Sequence, residues 1–362
     1  MSMIPIISIV SGLPPAIDGV GDYALNLARQ LRKDCAIDTH FIVGNPKWVG
    51  ADEIEGFSVS KVNDRTVSNL LSLLNKNSAP STILLHYVCY GYALRGCPFW
   101  LINGLQRWRN AKSDRLVTMF HETYAFGPPW TSAFWLSQVQ KYLLARLAQI
   151  SDRALTSKQG YGKIITKLSR GKQTQIPAIP VFSTIGEPEK LPPLAERPRR
   201  LVVFGATPTR RRVYQKSLAA LERTCQELLI EEILDIGPAT GLEICEINGV
   251  PVVAKGEIAA AEISKILSNS IVGFFDYHTE FLAKSTVFAA YCAHRLIPVG
   301  TFYTNVQEDG LQAGKHYWLA DLAQESLSLA AGQAIADNAY TWYQNHNLSY
   351  QAKVFAAQLT DK

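Results

Sequence analysis

The sequence predicts an α/β protein made of two doubly wound domains, on three observations. Short apolar segments of strand length alternate with longer segments of helical period along the whole chain. At 362 residues the chain is too long for one ordinary core. The composition also breaks over residues 187–200, where Pro188, Pro192, Pro193 and Pro198 stand among charged residues in the manner of a linker.

Taken in order, residues 4–10 form a buried strand despite Pro5, and residues 11–21 form the loop that leaves it. Ala24, Leu27, Ala28 and Leu31 then recur at helical spacing. Further strands are expected at 39–43, 82–88, 116–120 and 154–156, with a long helix over 132–150 that carries several aromatics. A new βα unit opens at Leu201-Val202-Val203-Phe204-Gly205, followed by strands near 233–236, 252–254, 271–275 and 297–299. From about Gln324 the tail reads as wholly helical. The expected domains are 1–189 and 190–338, with a helical tail over 339–362 that packs on the first of them.

Composition removes several function classes. A net charge of +5 is mildly basic, and no continuous basic face interleaves with aromatics, so nucleic acid is not expected as a partner. That charge suits an anionic small substrate or a peripheral contact with an acidic membrane surface. The six cysteines lie far apart with no Cys-x-x-Cys pair, which points to reduced thiols and no zinc site. No run approaches the roughly 18 apolar residues of a spanning helix, and no signal-type segment opens the chain, so a cytoplasmic protein is expected.

Four segments carry chemistry. The first is the loop around Asp18, Gly19 and Gly21, where glycines at a helix start would let backbone N–H groups approach a phosphate. Its other reading, a plain turn with Asp22 as the helix cap, stands level with that one. The second is His121-Glu122, at the carboxyl end of the 116–120 strand, where α/β enzymes keep working groups. An imidazole there can hydrogen-bond a sugar hydroxyl; a strand-end histidine satisfied by backbone is the alternative. The third is Arg210-Arg211-Arg212, basic groups able to hold phosphate oxygens, although three consecutive arginines cannot all face one ligand. The fourth runs from Asp276 and Tyr277 through Glu280 to Lys284-Ser285-Thr286, where hydroxyls, an ammonium and a helix N-terminus converge on an anion site.

These segments, in this order, resemble the GT-B nucleotide-sugar glycosyltransferases of the retaining, family-four type. The resemblance rests on Gly19-Val20-Gly21-Asp22-Tyr23-Ala24, on Tyr87-Val88-Cys89-Tyr90-Gly91-Tyr92, on Phe120-His121-Glu122-Thr123-Tyr124, and on the strand, glycine and basic run at 204–212. It extends through Ala289-Ala290-Tyr291-Cys292-Ala293 to the closing helices and so covers nearly the whole chain. It implies two Rossmann-like domains whose parallel sheets face each other across a cleft, with a C-terminal helix crossing back. It further implies a nucleotide-diphosphate sugar as donor, an acceptor the sequence does not name, no cofactor and no metal. The role implied for His121 and Glu280 is catalytic, beside the transferred sugar. Gly19, Gly21, Arg210, Arg211, Arg212, Lys284, Ser285 and Thr286 would hold the donor phosphates, with Asp18, Glu122 and Tyr277 nearby. Two departures stand out. The second glutamate of the family's pair, which holds the nucleotide ribose, falls at Phe288, and Arg295 replaces a usual glycine. They keep two alternatives in view, a GT-B sugar-nucleotide epimerase and a silent sugar-nucleotide-binding or assembly protein of a polysaccharide pathway.

Overall fold

The computed structural model describes residues 3–75, 82–111, 114–301, 308–322 and 325–360. The chain divides into two compact units, Met1–Pro180 with Leu348–Lys362, and Val181–Asn347. The Pro-rich stretch at 187–200 therefore lies inside the second unit.

Unit 1 begins with β1 (Ile4–Val10), α1 (Gly19–Cys35), β2 (Ile37–Val43), β3 (Glu53–Ile54), β4 (Phe57–Lys61) and α2 (Val67–Leu74). It continues with β5 (Thr82–Tyr87), α3 (Cys89–Tyr92), α4 (Phe99–Ala111), β6 (Leu116–Phe120), α5 (Ser132–Ile150), β7 (Arg153–Thr156) and α6 (Gln159–Leu168). The strand order is β3-β4-β2-β1-β5-β6-β7, parallel except for the short β3–β4 hairpin. Side chains alternate between the faces of the sheet. On β2, Ile42 joins Leu85, Leu105 and Leu144 in one apolar cluster, while Phe41 and Val43 join Ala24, Ala28 and Trp48 in another. Two such layers, at about 1.5–3 kcal/mol per fully buried large side chain, explain why the parallel strands read as continuous apolar runs.

In α1 the residues that recur at helical spacing, Ala24, Leu27, Ala28 and Leu31, are all buried, as are Gly21, Tyr23 and Leu25. Asp18 caps the helix and Asp22 sits in its first turn, with Arg32 and Lys33 in its last, charges that complement the helix dipole at both ends.

Unit 2 contains β8 (Arg200–Phe204), α7 (Thr207–Lys216), α8 (Leu218–Glu227), β9 (Glu232–Ile236), β10 (Glu246–Ile247), β11 (Val250–Gly256) and α9 (Ala260–Ser268). After these come β12 (Val272–Phe275), a 3₁₀ turn (Thr279–Lys284), α10 (Thr286–Ala293), β13 (Ile297–Gly300), β14 (Trp318–Leu319) and α11 (Leu329–Gln344). Its strands run β10-β11-β9-β8-β12-β13-β14, again parallel apart from one hairpin, β10–β11. Leu201, Val203, Ile233, Val272, Phe274 and Val299 anchor its core.

The tail is not one helix. Gln324, where it was expected to start, lies outside the described residues. α11 belongs to unit 2, and α12 (Leu348–Thr360) belongs to unit 1, where it packs on α1. Ser349 Oγ donates to Asp34 at 3.0 Å, and Tyr23 donates its hydroxyl proton to Gln351 Oε1. No helix among the described residues is long and apolar enough to cross a membrane.

Candidate functional site

In an open parallel sheet, ligands gather where the strand order reverses, outside the carboxyl ends of the strands. In unit 1 that point lies between β1 and β5, and in unit 2 between β8 and β12. Every residue singled out above except those of the β6 exit follows one of these strands or opens the helix after it.

At the exit of β1, Asp18 rather than Asp22 caps α1. Its Oδ1 accepts from Val20 N at 2.9 Å and Gly21 N at 3.3 Å, and its Oδ2 accepts from Ser11 Oγ at 2.6 Å. This corrects the phosphate role expected of Gly21: its N–H is already given to a carboxylate, which leaves the helix start negative where an anion would have to sit. The glycine is demanded by packing instead. A Cβ on Gly21 would lie 2.3 Å from Gly12 O, whereas one on Gly19 would meet nothing within 4 Å. Gly19 is exposed and Glu122 half-buried.

His121 follows β6 directly, and its backbone N–H donates to Tyr87 O at 3.0 Å. The side chain is buried and makes a ring-to-ring hydrogen bond, Nε2 to His86 Nδ1 at 3.1 Å. Tyr23 meets the His121 ring edge-on with centroids 5.0 Å apart. Burial holds the His86 imidazole down to a pKa of about 3, so at neutral pH it is uncharged. In such a pair one ring nitrogen donates and the other accepts, so each histidine fixes the tautomer of the other. Tyr23 is steered from α12: Gln351 accepts its hydroxyl and donates Nε2–H to Pro180 O at 2.7 Å. Sequence reasoning missed His86, Tyr23 and Gln351. The available signal was a histidine inside the otherwise apolar β5.

In unit 2, β8 ends at Phe204 and Gly205 takes φ 128°, a left-handed value that glycine adopts without steric cost. Arg210 is 2% exposed. Its guanidinium is spent on the fold, donating to Gly205 O at 2.9 Å, to the Asp235 carboxylate and to Pro238 O. The donor-binding role expected of Arg210 is therefore corrected: the side chain ties the ends of β8 and β9 together and neutralises a buried carboxylate. Arg211, one residue on, is exposed. Arg212 is partly exposed and bridges to Asp276, with Nε 3.1 Å from Oδ1 and Nη2 2.9 Å from the backbone oxygen. Ser217 Oγ holds the other Asp276 oxygen at 2.8 Å. Arg212 and Asp276 thus fasten α7 to the end of β12, on the two strands that flank the reversal.

Beyond Asp276 the chain turns through half-buried Tyr277 and Glu280 to Lys284, whose Nζ lies 5.8 Å from the Phe281 ring centroid. Ser285 caps α10, its Oγ accepting from Phe288 N at 3.2 Å. Lys284, Ser285 and Thr286 are half-buried at the first turn of that helix. The structure therefore brings Arg212, the Asp276–Glu280 turn, Lys284, Ser285 and Thr286 to one end of unit 2, and leaves Arg210 out. Phe288 points into the core: it is 1% exposed and packs edge-on against Phe275 and Trp342 at 5.8 and 5.7 Å between centroids. Arg295 takes φ 51°, which accounts physically for the glycine usual at its position, and its guanidinium lies 4.0 Å over the Tyr340 ring.

No family model matches the chain, and no curated protein matches it in sequence. Solved structures do match. An alpha-glucosyltransferase in complex with UDP and a 13-mer DNA containing a HMU base aligns with TM-score 0.60 and 11% identity over 100% of both chains. A glycosyltransferase from Rickettsia africae ESF-5 aligns with TM-score 0.58 and 10% identity, also over 100% of both. WaaG, a glycosyltransferase involved in lipopolysaccharide biosynthesis, aligns with TM-score 0.56 and 12% identity over 99% of this chain and 100% of its own. Each unit holds a seven-stranded, mostly parallel sheet, and the chain has the GT-B fold of these glycosyltransferases.

Proposed function

We propose that the chain is a hexosyltransferase that moves a sugar from a nucleoside-diphosphate donor to a glycan or lipid-linked acceptor, with retention at the anomeric carbon and without a metal. The observation that carries this reading is the convergence, at the strand-order reversal of unit 2, of the Lys284 ammonium and the N-terminal turn of α10. Glycosyl transfer expels a nucleoside diphosphate, and stabilising its growing negative charge is the main electrostatic task. Lys284 supplies a full positive charge and the first N–H groups of α10 supply dipole and donors. The Ser285 hydroxyl accepts from Phe288 N, and its own proton remains to be donated to a phosphate oxygen. Arg211, exposed on α7, adds positive charge, and Arg212 holds the turn in place through Asp276.

In unit 1, His121, with its tautomer set by His86, is the group we assign to hydrogen-bonding a sugar hydroxyl. A uridine nucleotide is the first donor to test, because the alpha-glucosyltransferase neighbour is in complex with UDP. That neighbour is also in complex with DNA, so DNA belongs among the acceptors offered. Among the described residues no cluster of three or more His, Cys, Asp or Glu side chains is arranged to hold a metal ion.

Incubation with a panel of nucleotide sugars tests the reading. Slow release of nucleoside diphosphate, accelerated by acceptor and unchanged by EDTA, is expected. Sugar interconversion without release marks an epimerase. A second reading, a binder that does not turn over, stays in view because Phe288, buried in the core, stands where the resemblance implies a glutamate. Binding without release from any donor establishes that reading instead.

A further inference from the structure

α12 returns to unit 1 with one polar side chain turned fully inward. Gln351 is 0% exposed, on a helix whose other buried residues, Ala352, Phe355 and Leu359, are apolar. A buried amide is kept without penalty only where both its ends are paired. Pro180 O can only accept, so the Nε2–H of Gln351 must face it, at 2.7 Å, and Oε1 is left to take the Tyr23 hydroxyl proton. Burial pushes the pKa of that hydroxyl far up, so the proton stays in place at neutral pH.

Tyr23 in turn stands edge-on to both histidines, its ring centroid 5.9 Å from that of His86 and 5.0 Å from that of His121. Tyr23 and His86 are each 1% exposed and His121 is 7% exposed. His121 is therefore the member of the cluster that a ligand can touch, and Tyr23 and His86 are the walls that set its plane. Gln351 meets Pro180 where the chain leaves unit 1. Just before that point Thr156 N donates to Pro177 O at 3.0 Å and Ile179 N to Thr156 O at 2.8 Å, so residues 177–179 run beside β7. Thr156 Oγ1 donates to Phe120 O at 2.9 Å, one residue before His121. The exit segment thus reaches His121 by two routes, through Thr156 to its backbone and through Gln351 and Tyr23 to its ring.

We infer that Gln351 is a positioning residue for the transfer reaction: through Tyr23 it holds the His121 ring in its plane, and through Pro180 it fastens that ring to the segment by which the chain leaves unit 1. A neutral amide offers a donor and an acceptor at the end of one side chain, which neither an ionised Glu nor an apolar residue does. Misplacing His121 by about 1 Å costs rate. Donor affinity is spared, because Lys284 and α10 belong to unit 2. This role rests on the reading of His121 as the group that hydrogen-bonds a sugar hydroxyl. The link from Gln351 to His121 does not, so each has its own readout.

Tyr23→Phe and Gln351→Met, singly and together in the full chain, test it. Each single variant should lower kcat about tenfold or more with donor KM within about twofold of wild type. The double variant leaves no buried polar end facing an apolar one between the two side chains, so it should melt no lower than either single variant. Its kcat should fall no more than about twofold below the worse single variant, because both changes cut one link. Ser349→Ala, which removes a different bond between α12 and α1, should alter neither kcat nor KM. In NMR spectra of the ligand-free protein, the imidazole nitrogen signals of His86 and His121 should shift in Tyr23→Phe and Gln351→Met and stay in place in Ser349→Ala. Unmoved imidazole signals, losses of kcat that multiply in the double variant, or an equal loss in Ser349→Ala overturns the proposal. Absence of turnover with every donor sinks the transfer reading; imidazole signals that still shift then uphold the link from Gln351 to His121, and unmoved ones sink that as well.

Discussion

At the scale of single residues, the two arginines nearest the site do different work from what their charge suggests. Arg210 and Asp235 are a buried pair, and such pairs are costly to break because the survivor is left charged and unsolvated. Asp235→Ala should therefore destabilise unit 2 by about 3–5 kcal/mol in urea unfolding, with Lys284→Ala within about 0.5 kcal/mol of wild type. The sequence shows three consecutive arginines but not which one turns inward, because neighbours on a helix point about 100° apart and only the position of Asp235 decides between them. Asp18 and Asp22 posed the same ambiguity for the cap of α1, resolved by the reach of Ser11 and of the Val20 and Gly21 amides. His86 offers a different test. Through its hydrogen bond to His121 it acts as a positioning residue, so His86→Ala should lower kcat roughly ten- to a hundredfold and leave donor KM nearly unchanged.

At the scale of elements, two glycines of one turn separate packing from permissiveness. Gly21→Ala would push a methyl group into Gly12 O and should cost about 1–3 kcal/mol, read as a drop in melting temperature. Gly19→Ala meets open space and should be neutral or stabilise by up to about 1 kcal/mol. Strands buried on both faces, such as β1, β6 and β9, were legible because parallel strands between helix layers are continuously apolar. The two-residue strands β3, β10 and β14 were not, since pairing with a neighbour rather than composition makes them strands. α5 was legible end to end, but its exposed aromatics were not, because periodicity cannot tell which of two apolar faces meets water.

At the scale of the whole molecule, three histidines are folded into its interior in the neutral form. Burial holds His86 and His346 to about 3 and His294 to about 4, against 6.5 in the unfolded chain. Below pH 6.5 the unfolded chain takes up protons that the folded chain refuses, so stability is complete above that pH and falls as pH drops toward 4. Each group contributes at most about 1.4 kcal/mol per pH unit. His294 and His346 lie in unit 2 and His86 in unit 1, so calorimetry on acidification should show unit 2 losing stability faster. The order of the motifs along the chain carried the fold. The resemblance implied that a closing helix returns to the first unit; that only the segment after Asn347 does so was not legible, because a helix–turn–helix tail reads the same wherever the return begins.

The central claim is that the first turn of α10 and Lys284 form the grip on a nucleoside diphosphate. Calorimetric titration of UDP into the wild type and into Lys284→Ala addresses it most directly. Saturable binding that weakens at least about tenfold in the variant, at unchanged melting temperature, is the predicted result. Equal affinity in both proteins, or no binding of any nucleoside diphosphate to the wild type, would contradict it.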